Sequence, residues 1–114
     1  MNPHLLPKVR SEQLMQSARG MQCALRLPGF CWHRPDTVVM AHLPGIGKGV
    51  STKVSDIHGA FACAGCHDAI DRHIYERHGL TKEYVLEAML RAHCETQAQW
   101  IGAGLLIVPG AKII

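Results

Sequence analysis

Cysteine and histidine, both metal-ligating side chains, are unusually frequent in this 114-residue sequence, with five and eight copies. Cys63 and Cys66 form a Cys-x-x-Cys pair, whose tight turn places two thiolates on one side of a bend. A second pair, Cys23 and Cys31, flanks Pro28-Gly29, a typical turn sequence. Four thiolates suit tetrahedral zinc, so we predict that Cys23, Cys31, Cys63 and Cys66 bind a structural Zn²⁺.

Other interpretations of these cysteines remain open. His33, two residues after Cys31, is an alternative ligand, and Cys63 and Cys66 could simply be small buried side chains. Cys63 to His67 also match Cys-x-x-Cys-His, the attachment motif of c-type haem. Haem attachment normally follows export, and we find no secretory signal. Cys94 is expected to be a free thiol.

The first half of the chain predicts short elements that would position these residues. Ser11 should cap a helix that ends near Ala18, with Gly20 just beyond it. Residues 23–31 are expected to form two extended arms around the Pro28-Gly29 turn. Thr37 to Leu43 is apolar and rich in β-branched residues, which predicts a buried strand with His42 near its end. Residues 44–53 should form a basic glycine-rich loop.

The second half predicts mainly helix. The Cys63–Cys66 turn should open a helix that runs to about Arg77. Thr81 should cap a longer helix with apolar residues at helical spacing. Residues 105–114 could add a strand. The positions expected to supply the core of the long helix are Val85, Leu86, Met89, Leu90, His93, Trp100 and Ile101.

Length and composition favour one small α+β domain. We expect residues 1–10 to form an irregular arm and residues 11–114 to form the domain. The longest apolar run near the C-terminus, residues 101–108, is too short for a membrane span, so we expect a cytoplasmic protein. Trp100, Ile101 and Leu105 could provide a homodimer face as easily as a core.

The order of these motifs resembles a known superfamily. The relevant pieces are Arg26-Leu27-Pro28-Gly29 before Cys31, then Ala41-His42, then residues 62–71, which read Ala-Cys-Ala-Gly-Cys-His-Asp-Ala-Ile-Asp. The sequence resembles the HNH, or ββα-metal (His-Me finger), endonucleases, and residues 17–72 are similar to the YbcO-like nucleases of phages and prophages. The resemblance implies a zinc-stabilised ββα-metal (HNH-like) core with flanking helices.

The resemblance also implies roles for two histidines. His42, at the end of a predicted strand, would be the general base that activates water, and imidazole is a workable base at neutral pH. His67, at the start of a predicted helix, would bind a catalytic divalent ion, Mg²⁺ or Mn²⁺. The implied activity is metal-dependent hydrolysis of DNA phosphodiester bonds, in phage or prophage DNA recombination or processing.

One position departs from the pattern of the family. Many relatives carry an acidic second metal ligand before the base histidine, and this chain has Ala41. The resemblance makes Asp56 the best supplementary acidic residue of the catalytic site, with Asp68 and His58 in reserve. The second ligand of the catalytic ion is therefore left open by the sequence.

Charge is uneven along the chain. Residues 1–53 carry seven lysines and arginines against two acidic residues, whereas residues 54–114 carry five against seven. Basic side chains on loops can contact DNA phosphates without reading sequence. The alternative from another class is a non-catalytic zinc module that binds nucleic acid or protein. The residues expected to contact DNA are Lys48, Lys53, Arg19, Arg26, Arg34 and Arg72.

Overall fold

The computed structural model describes residues 8–44 and 54–114, and every structural statement below concerns these residues. They form a small α+β structure with three α-helices and one two-stranded sheet. Two short 3₁₀ helices, Pro35–Thr37 and Tyr75–His78, connect the larger elements. In chain order the larger elements are α1 (Glu12–Gln16), β1 (Val39–His42), β2 (Gly59–Ala62), α2 (Ala64–Asp71) and α3 (Lys82–Gly102).

The sheet pairs β1 with β2 in antiparallel register. Val39 lies opposite Ala62, and His42 lies opposite Gly59. All four residues of β2 are buried, and the strand makes further hydrogen bonds outside the sheet. The Phe61 N–H donates to Thr96 Oγ1 of α3 at 3.0 Å, and its carbonyl accepts from the Ala24 N–H at 2.8 Å. The strand β2 is therefore fixed by β1, by α3 and by the loop that carries Ala24. Helix α2 begins two residues after it.

The predicted helix caps at Ser11 and Thr81 are confirmed. Ser11 Oγ accepts from the Leu14 N–H at 3.2 Å, and Thr81 Oγ1 accepts from the Tyr84 N–H at 3.1 Å. Each hydroxyl satisfies one of the amides that a helix N-terminus leaves unpaired. The first helix is shorter than predicted and ends at Gln16.

The buried face of α3 differs from the predicted one. Leu86 and Leu90, which we expected in the core, are exposed, whereas Ala88 and Ala92 are buried. Small side chains on the inner face let the helix approach the sheet closely, and the buried residues still follow helical spacing. Trp100, a possible dimer-face residue, is a core residue. The buried positions of the helix are Val85, Ala88, Met89, Ala92, Thr96 and Trp100.

Three predicted elements were wrong. Residues 23–31 form no strands, because the Arg26 and Leu27 N–H groups donate to sulfur atoms and the Phe30 and Cys31 N–H groups donate to the Leu27 carbonyl. The helix expected to reach Arg77 ends at Asp71, where His73 takes a left-handed φ of +53° and the Ile74 N–H bonds back to the Ala69 carbonyl. Residues 105–114 form no strand. The observed strand β1 begins two residues later than predicted, after the first 3₁₀ helix.

The predicted N-terminal arm is described from residue 8 onward. Val9 lies along residues 55–56, since its N–H donates to Ser55 Oγ at 2.9 Å and its carbonyl accepts from the Asp56 N–H at 2.8 Å. Within the described ranges, no helix combines the length and the apolar character that a membrane span requires.

Candidate metal centre and histidine sites

The four predicted ligand cysteines meet in one cluster. Their sulfur atoms all lie within 4.8 Å of one another. The loop after α1 contributes Cys23 and Cys31, and the junction of β2 and α2 contributes Cys63 and Cys66. Three of the four are buried, and Cys31 is partly exposed. Four sulfur ligands from two separate segments make a site that can hold one metal ion, and this donor set suits tetrahedral Zn²⁺.

Backbone amides surround this cluster. The Arg26 backbone takes a left-handed φ of +46°, and its amide N–H donates back to Cys23 Sγ. N–H groups that donate to sulfur favour the thiolate form, because they stabilise its negative charge. The four such bonds are Arg26 N–H to Cys23 Sγ (3.5 Å), Cys63 N–H to Cys23 Sγ (3.3 Å), Leu27 N–H to Cys66 Sγ (3.3 Å) and Trp32 N–H to Cys63 Sγ (3.3 Å).

The thiols of the cluster differ in their pKa values. A hydrogen bond from Cys66 lowers the pKa of the Cys23 thiol to about 4, and the same bond raises the pKa of Cys66. Burial raises the pKa of the Cys31 thiol to about 11. Four thiolates this close would repel one another, so all four can act as ligands together only around a cation. This donor set therefore fits a structural zinc ion.

The cluster also bears on the alternatives left open by the sequence. Cys63 and Cys66 are fully buried and face the other two cysteines, which favours metal–thiolate bonds over thioether bonds to haem. His33 Nδ1 lies 3.6 Å from Cys31 Sγ, so its ring is a neighbour of the cluster. Cys94 lies on α3 and is exposed.

Helix α3 holds the first loop of the cluster in place. Arg91 Nη2 donates to the carbonyls of Ala24 and Leu25 at 3.1 and 2.7 Å. Arg26 makes a bidentate pair with Glu95 at 2.7 and 2.9 Å. The hydrogen bond from Arg26 lowers the pKa of the Glu95 carboxyl, despite partial burial. The guanidinium of Arg26, which we predicted to contact DNA, is thus engaged with α3.

His42 forms a second polar site, at the end of β1. Its Nε2 lies 2.8 Å from Oδ1 of Asp56, the residue proposed from the family resemblance as the supplementary acid. Asp56 Oδ2 accepts from the Ser11 N–H at 2.7 Å, and Arg10 lies 3.8 Å from Oδ1. The Asp56 side chain is nearly buried, whereas a third of the His42 side chain is exposed. The pair therefore has a fixed inner end and an accessible outer end.

Asp56 is ionised in this environment. Burial acts to raise the pKa of its carboxyl, but the hydrogen bonds from the Ser11 N–H and His42, with the charges of His42 and Arg10, outweigh burial. The pKa consequently lies below its ordinary value. An ionised carboxylate only accepts hydrogen bonds, so His42 Nε2 is the donor of this bond, and in the neutral form of the ring Nδ1 is an acceptor.

His67 forms a third site, on α2. Its Nε2 lies 3.0 Å from Oδ2 of Asp71, one helical turn later, and both side chains are partly exposed. Asp71 was not among the site residues predicted from the sequence, although its i, i+4 spacing from a predicted ligand was a usable signal. Among the described residues, only the four cysteines bring three or more ligand atoms within 4.8 Å of one another. His67 therefore does not join His42 and Asp56 in one closed set.

The predicted DNA-contacting residues fall into two groups. Three of the arginines are engaged with acidic side chains, since Arg34 pairs with Asp36 at 2.7 Å and Arg72 with Asp68 at 3.3 Å, alongside the pair of Arg26. Arg19 is exposed just after α1. Lys48 and Lys53 lie outside the described residues.

Comparison with known proteins places the chain in a family. The family model described as "Putative nuclease YbcO" matches residues 12–104. Proteins of that name from Escherichia coli (strain K12) and Enterobacteria phage 82 are each 41% identical over 96 residues, which cover 82% of this chain and 95% of theirs.

A solved structure supports the same relationship. It is titled "Structure of a putative bacteriophage protein from Escherichia coli str. K-12 substr. MG1655" and aligns with a TM-score of 0.61 and 34% identity. The alignment covers 79% of this chain and 98% of the other chain. From the extent of these matches, this chain belongs to the YbcO family.

Proposed function

We propose that this protein is a metal-dependent endonuclease that hydrolyses DNA phosphodiester bonds. Membership of a family whose description names a nuclease supports the general activity. The consecutive order β1, β2, α2, with a four-cysteine cluster at the β2–α2 junction, supports a ββα-metal core of the HNH or His-Me finger type. The relative from Enterobacteria phage 82 supports a role in phage or prophage DNA recombination or processing.

The observation that carries the proposal is the His42–Asp56 pair. The buried carboxylate fixes the imidazole through Nε2–H, and a third of the His42 side chain stays exposed to solvent. In the proposed reaction, Nδ1 takes a proton from a water molecule as its oxygen attacks the phosphorus. Asp56 orients the ring and stabilises the imidazolium that forms, so it acts through His42 and not on the substrate.

His67 and Asp71 are the proposed ligands of the catalytic divalent ion. Asp71 would supply the acidic ligand that Ala41 does not provide. An imidazole nitrogen and a carboxylate oxygen 3.0 Å apart suit Mn²⁺ or Mg²⁺, and two protein ligands leave positions for water and phosphate. When bound, this ion would stabilise the negative charge that develops on the phosphate and the 3′ leaving oxygen. The cysteine cluster would hold a separate structural zinc.

Phosphate contacts are proposed for the basic side chains. Arg19, with Lys48 and Lys53, would contact the DNA backbone directly. Arg26, Arg34 and Arg72 would first have to exchange an acidic partner for a phosphate. We therefore expect these three to contribute less to binding than the other basic residues.

Replacing His42 with alanine tests the proposal. Zinc-loaded protein is incubated with linear duplex, single-stranded and branched DNA in Mg²⁺ or Mn²⁺. His42→Ala should reduce cleavage at least a hundredfold, because general-base catalysis contributes about 10²–10⁴-fold. Zinc content should not change, and the variant should remain folded at the assay temperature, although the lost hydrogen bond to Asp56 should lower its thermal stability. His78→Ala, at an exposed histidine of the second 3₁₀ helix, is the matched control and should cleave normally.

Two outcomes would contradict the proposal in different ways. Unchanged cleavage by His42→Ala would exclude His42 as the base while leaving a nuclease. No cleavage of any nucleic acid by the zinc-loaded wild type would favour the second candidate, a non-catalytic zinc module, which the closed cysteine cluster equally supports.

A further inference from the structure

The two tryptophans of the chain lie in opposite environments. Trp100 is 0% exposed, and its indole N–H donates to Ser17 Oγ at 2.9 Å, so it belongs to the core. Trp32 is 56% exposed. An exposed indole leaves a large apolar surface in water, and folding gains little from it. Its position therefore calls for a role other than core packing.

Trp32 is rigidly seated on the cysteine cluster. Its backbone N–H donates to Cys63 Sγ at 3.3 Å, and it directly follows Cys31. A Cβ on Gly65 would lie 2.5 Å from the indole Cδ1 and 2.6 Å from Nε1. The pyrrole side of the ring therefore lies against the backbone of Gly65, in space that the side chain of any other residue at position 65 would fill. The ring is held in place before any partner arrives.

The residues that follow Trp32 in the chain are polar. The residues that follow it are His33, which is exposed, and Arg34, which pairs with exposed Asp36 at 2.7 Å. A protein-docking surface normally presents a wider apolar patch. A nucleobase instead offers one flat face to stack and polar edges that stay solvated, which matches a single aromatic ring among charged side chains.

The position of Trp32 relative to His67 determines which nucleotide of a bound strand could place its base on the indole. Gly65, the contact of the indole, precedes His67 by two residues on α2. Two residues correspond to a rise of about 3 Å and a rotation of about 200° around a helix axis. The indole and the His67 side chain therefore lie on nearly opposite sides of α2, so a base on Trp32 would belong to a nucleotide that lies away from the reacting phosphate.

We propose that Trp32 is a stacking platform for an unpaired nucleobase, which makes nucleic acids with single-stranded character the substrate class of this protein. This inference rests on the proposed nuclease function. A base inside a blunt duplex is already stacked on its neighbours and cannot also stack on the indole. Single strands and the unpaired positions of branched DNA offer a free face.

Tryptophan fluorescence tests the platform, because the buried Trp100 is an internal control. Zinc-loaded protein without added Mg²⁺ or Mn²⁺ is titrated with a 20-mer oligothymidine, the matching oligouridine and a blunt DNA duplex. We expect the single strands to quench the wild-type emission. In Trp32→Ala, whose emission comes from Trp100 alone, the quenching should disappear. The oligouridine arm determines whether DNA or RNA bases bind better.

Affinity and kinetics separate stacking from a structural role. By anisotropy of a labelled single strand, Trp32→Ala should bind about tenfold more weakly, and Trp32→Phe should recover part of the loss. With a cleavable single strand, KM should rise while kcat changes little, since the platform lies away from the reacting phosphate. Zinc content should equal that of the wild type.

The outcomes distinguish this inference from the proposed function. Cleavage of single strands by Trp32→Ala with wild-type KM would overturn the platform and leave the nuclease intact. Quenching by single strands without cleavage of any substrate would support the platform and overturn the nuclease. Equal quenching by the blunt duplex would overturn the unpaired-base substrate class.

Discussion

The cysteine cluster and the two histidine–aspartate pairs are both built from side chains of types that can bind metal ions, but they are arranged in opposite ways. In the cluster, four sulfur atoms converge from two segments, three are buried, and backbone amides donate to them. His42–Asp56 and His67–Asp71 each bring only two groups together, and each pair keeps an exposed histidine edge. The cluster is closed, whereas the pairs leave room for additional atoms.

This difference suits the cluster to stabilising the fold and the two pairs to reacting with a substrate. A closed tetrahedral set has no position for substrate, so its binding energy contributes to folding. An open pair contributes less to folding, but it can accept a proton, a phosphate oxygen or an ion with its own water molecules. Changes in the cluster should therefore affect folding first, and changes at the pairs should affect activity first.

The largest effect is expected at the cluster itself. Cys66→Ser should lose the metal and unfold, because structural zinc contributes about 10–16 kcal/mol, as much as the whole 5–15 kcal/mol stability of a typical domain. Elemental analysis and far-UV circular dichroism measure both losses. Cys94→Ser, at the exposed cysteine of α3, should retain metal and fold. A folded, zinc-loaded Cys66→Ser protein would contradict the ligand assignment.

Gly65→Ala should have the next largest effect. The new Cβ would overlap the Phe30 carbonyl oxygen and lie 2.5 Å from the Trp32 ring, so the loop beside the cluster must move. We expect a loss of about 3 kcal/mol in the free energy of unfolding, measured by denaturant titration. Gly102→Ala on α3, where nothing lies within 4 Å, is the control and should not destabilise. Equal stability of the two variants would show that the close approach is unimportant.

Asp56→Asn should have an intermediate and pH-dependent effect. At neutral pH it should lower the free energy of unfolding by about 2 kcal/mol, because charge-assisted hydrogen bonds to His42 and Ser11 are weakened. Since folding lowers the pKa of Asp56, this stabilisation is complete above the unfolded value of about 3.9 and disappears as the pH falls through the lower folded value.

Denaturant titrations of wild type and variant at several pH values measure this difference. Asp36→Asn, at an exposed aspartate, is the control and should change stability little at any pH. A wild-type advantage over Asp56→Asn that persists unchanged to the lowest pH would show that the Asp56 carboxylate charge is not responsible.

The smallest effect is expected at the contact between α3 and the cluster. Glu95→Ala removes the partner of Arg26, but both side chains are substantially exposed, so solvent screening limits the loss to about 0.5–1 kcal/mol. Zinc release to a chelator should become faster, because the loop carrying Cys23 is held less firmly. Glu87→Ala, an exposed glutamate of the same helix, should match wild type. Identical release rates for the two variants would show that the Glu95–Arg26 pair does not hold the cluster in place.

The sequence predicted much of this organisation from local signals. The Cys-x-x-Cys turn and the capping hydroxyls of Ser11 and Thr81 act within a few residues, so their spacing was sufficient. The strand ending at His42 was predicted from its composition, within two residues at its start. Each of these predictions depends on neighbours in the chain.

The errors arose where distant partners compete for the backbone. Amides of residues 26 and 27 bond to sulfur and not to a facing strand, which removed the predicted hairpin arms. Leu86 and Leu90 have core-like side chains and are exposed, whereas the smaller Ala88 and Ala92 are buried. The sizes of the side chains along a helix do not show which face of that helix will pack against a sheet formed by other segments of the chain.

The sequence by itself determined the ligand types, their spacing and the order of the elements. The sequence also predicted that the four cysteines share one site, as the structure confirms, but only the tertiary structure decided that Asp56 holds His42 and that Arg26 pairs with Glu95. The physical reason is that ligand chemistry is a property of each residue, whereas convergence depends on how remote segments pack. Packing also decided that Trp100 is enclosed while Trp32 faces solvent.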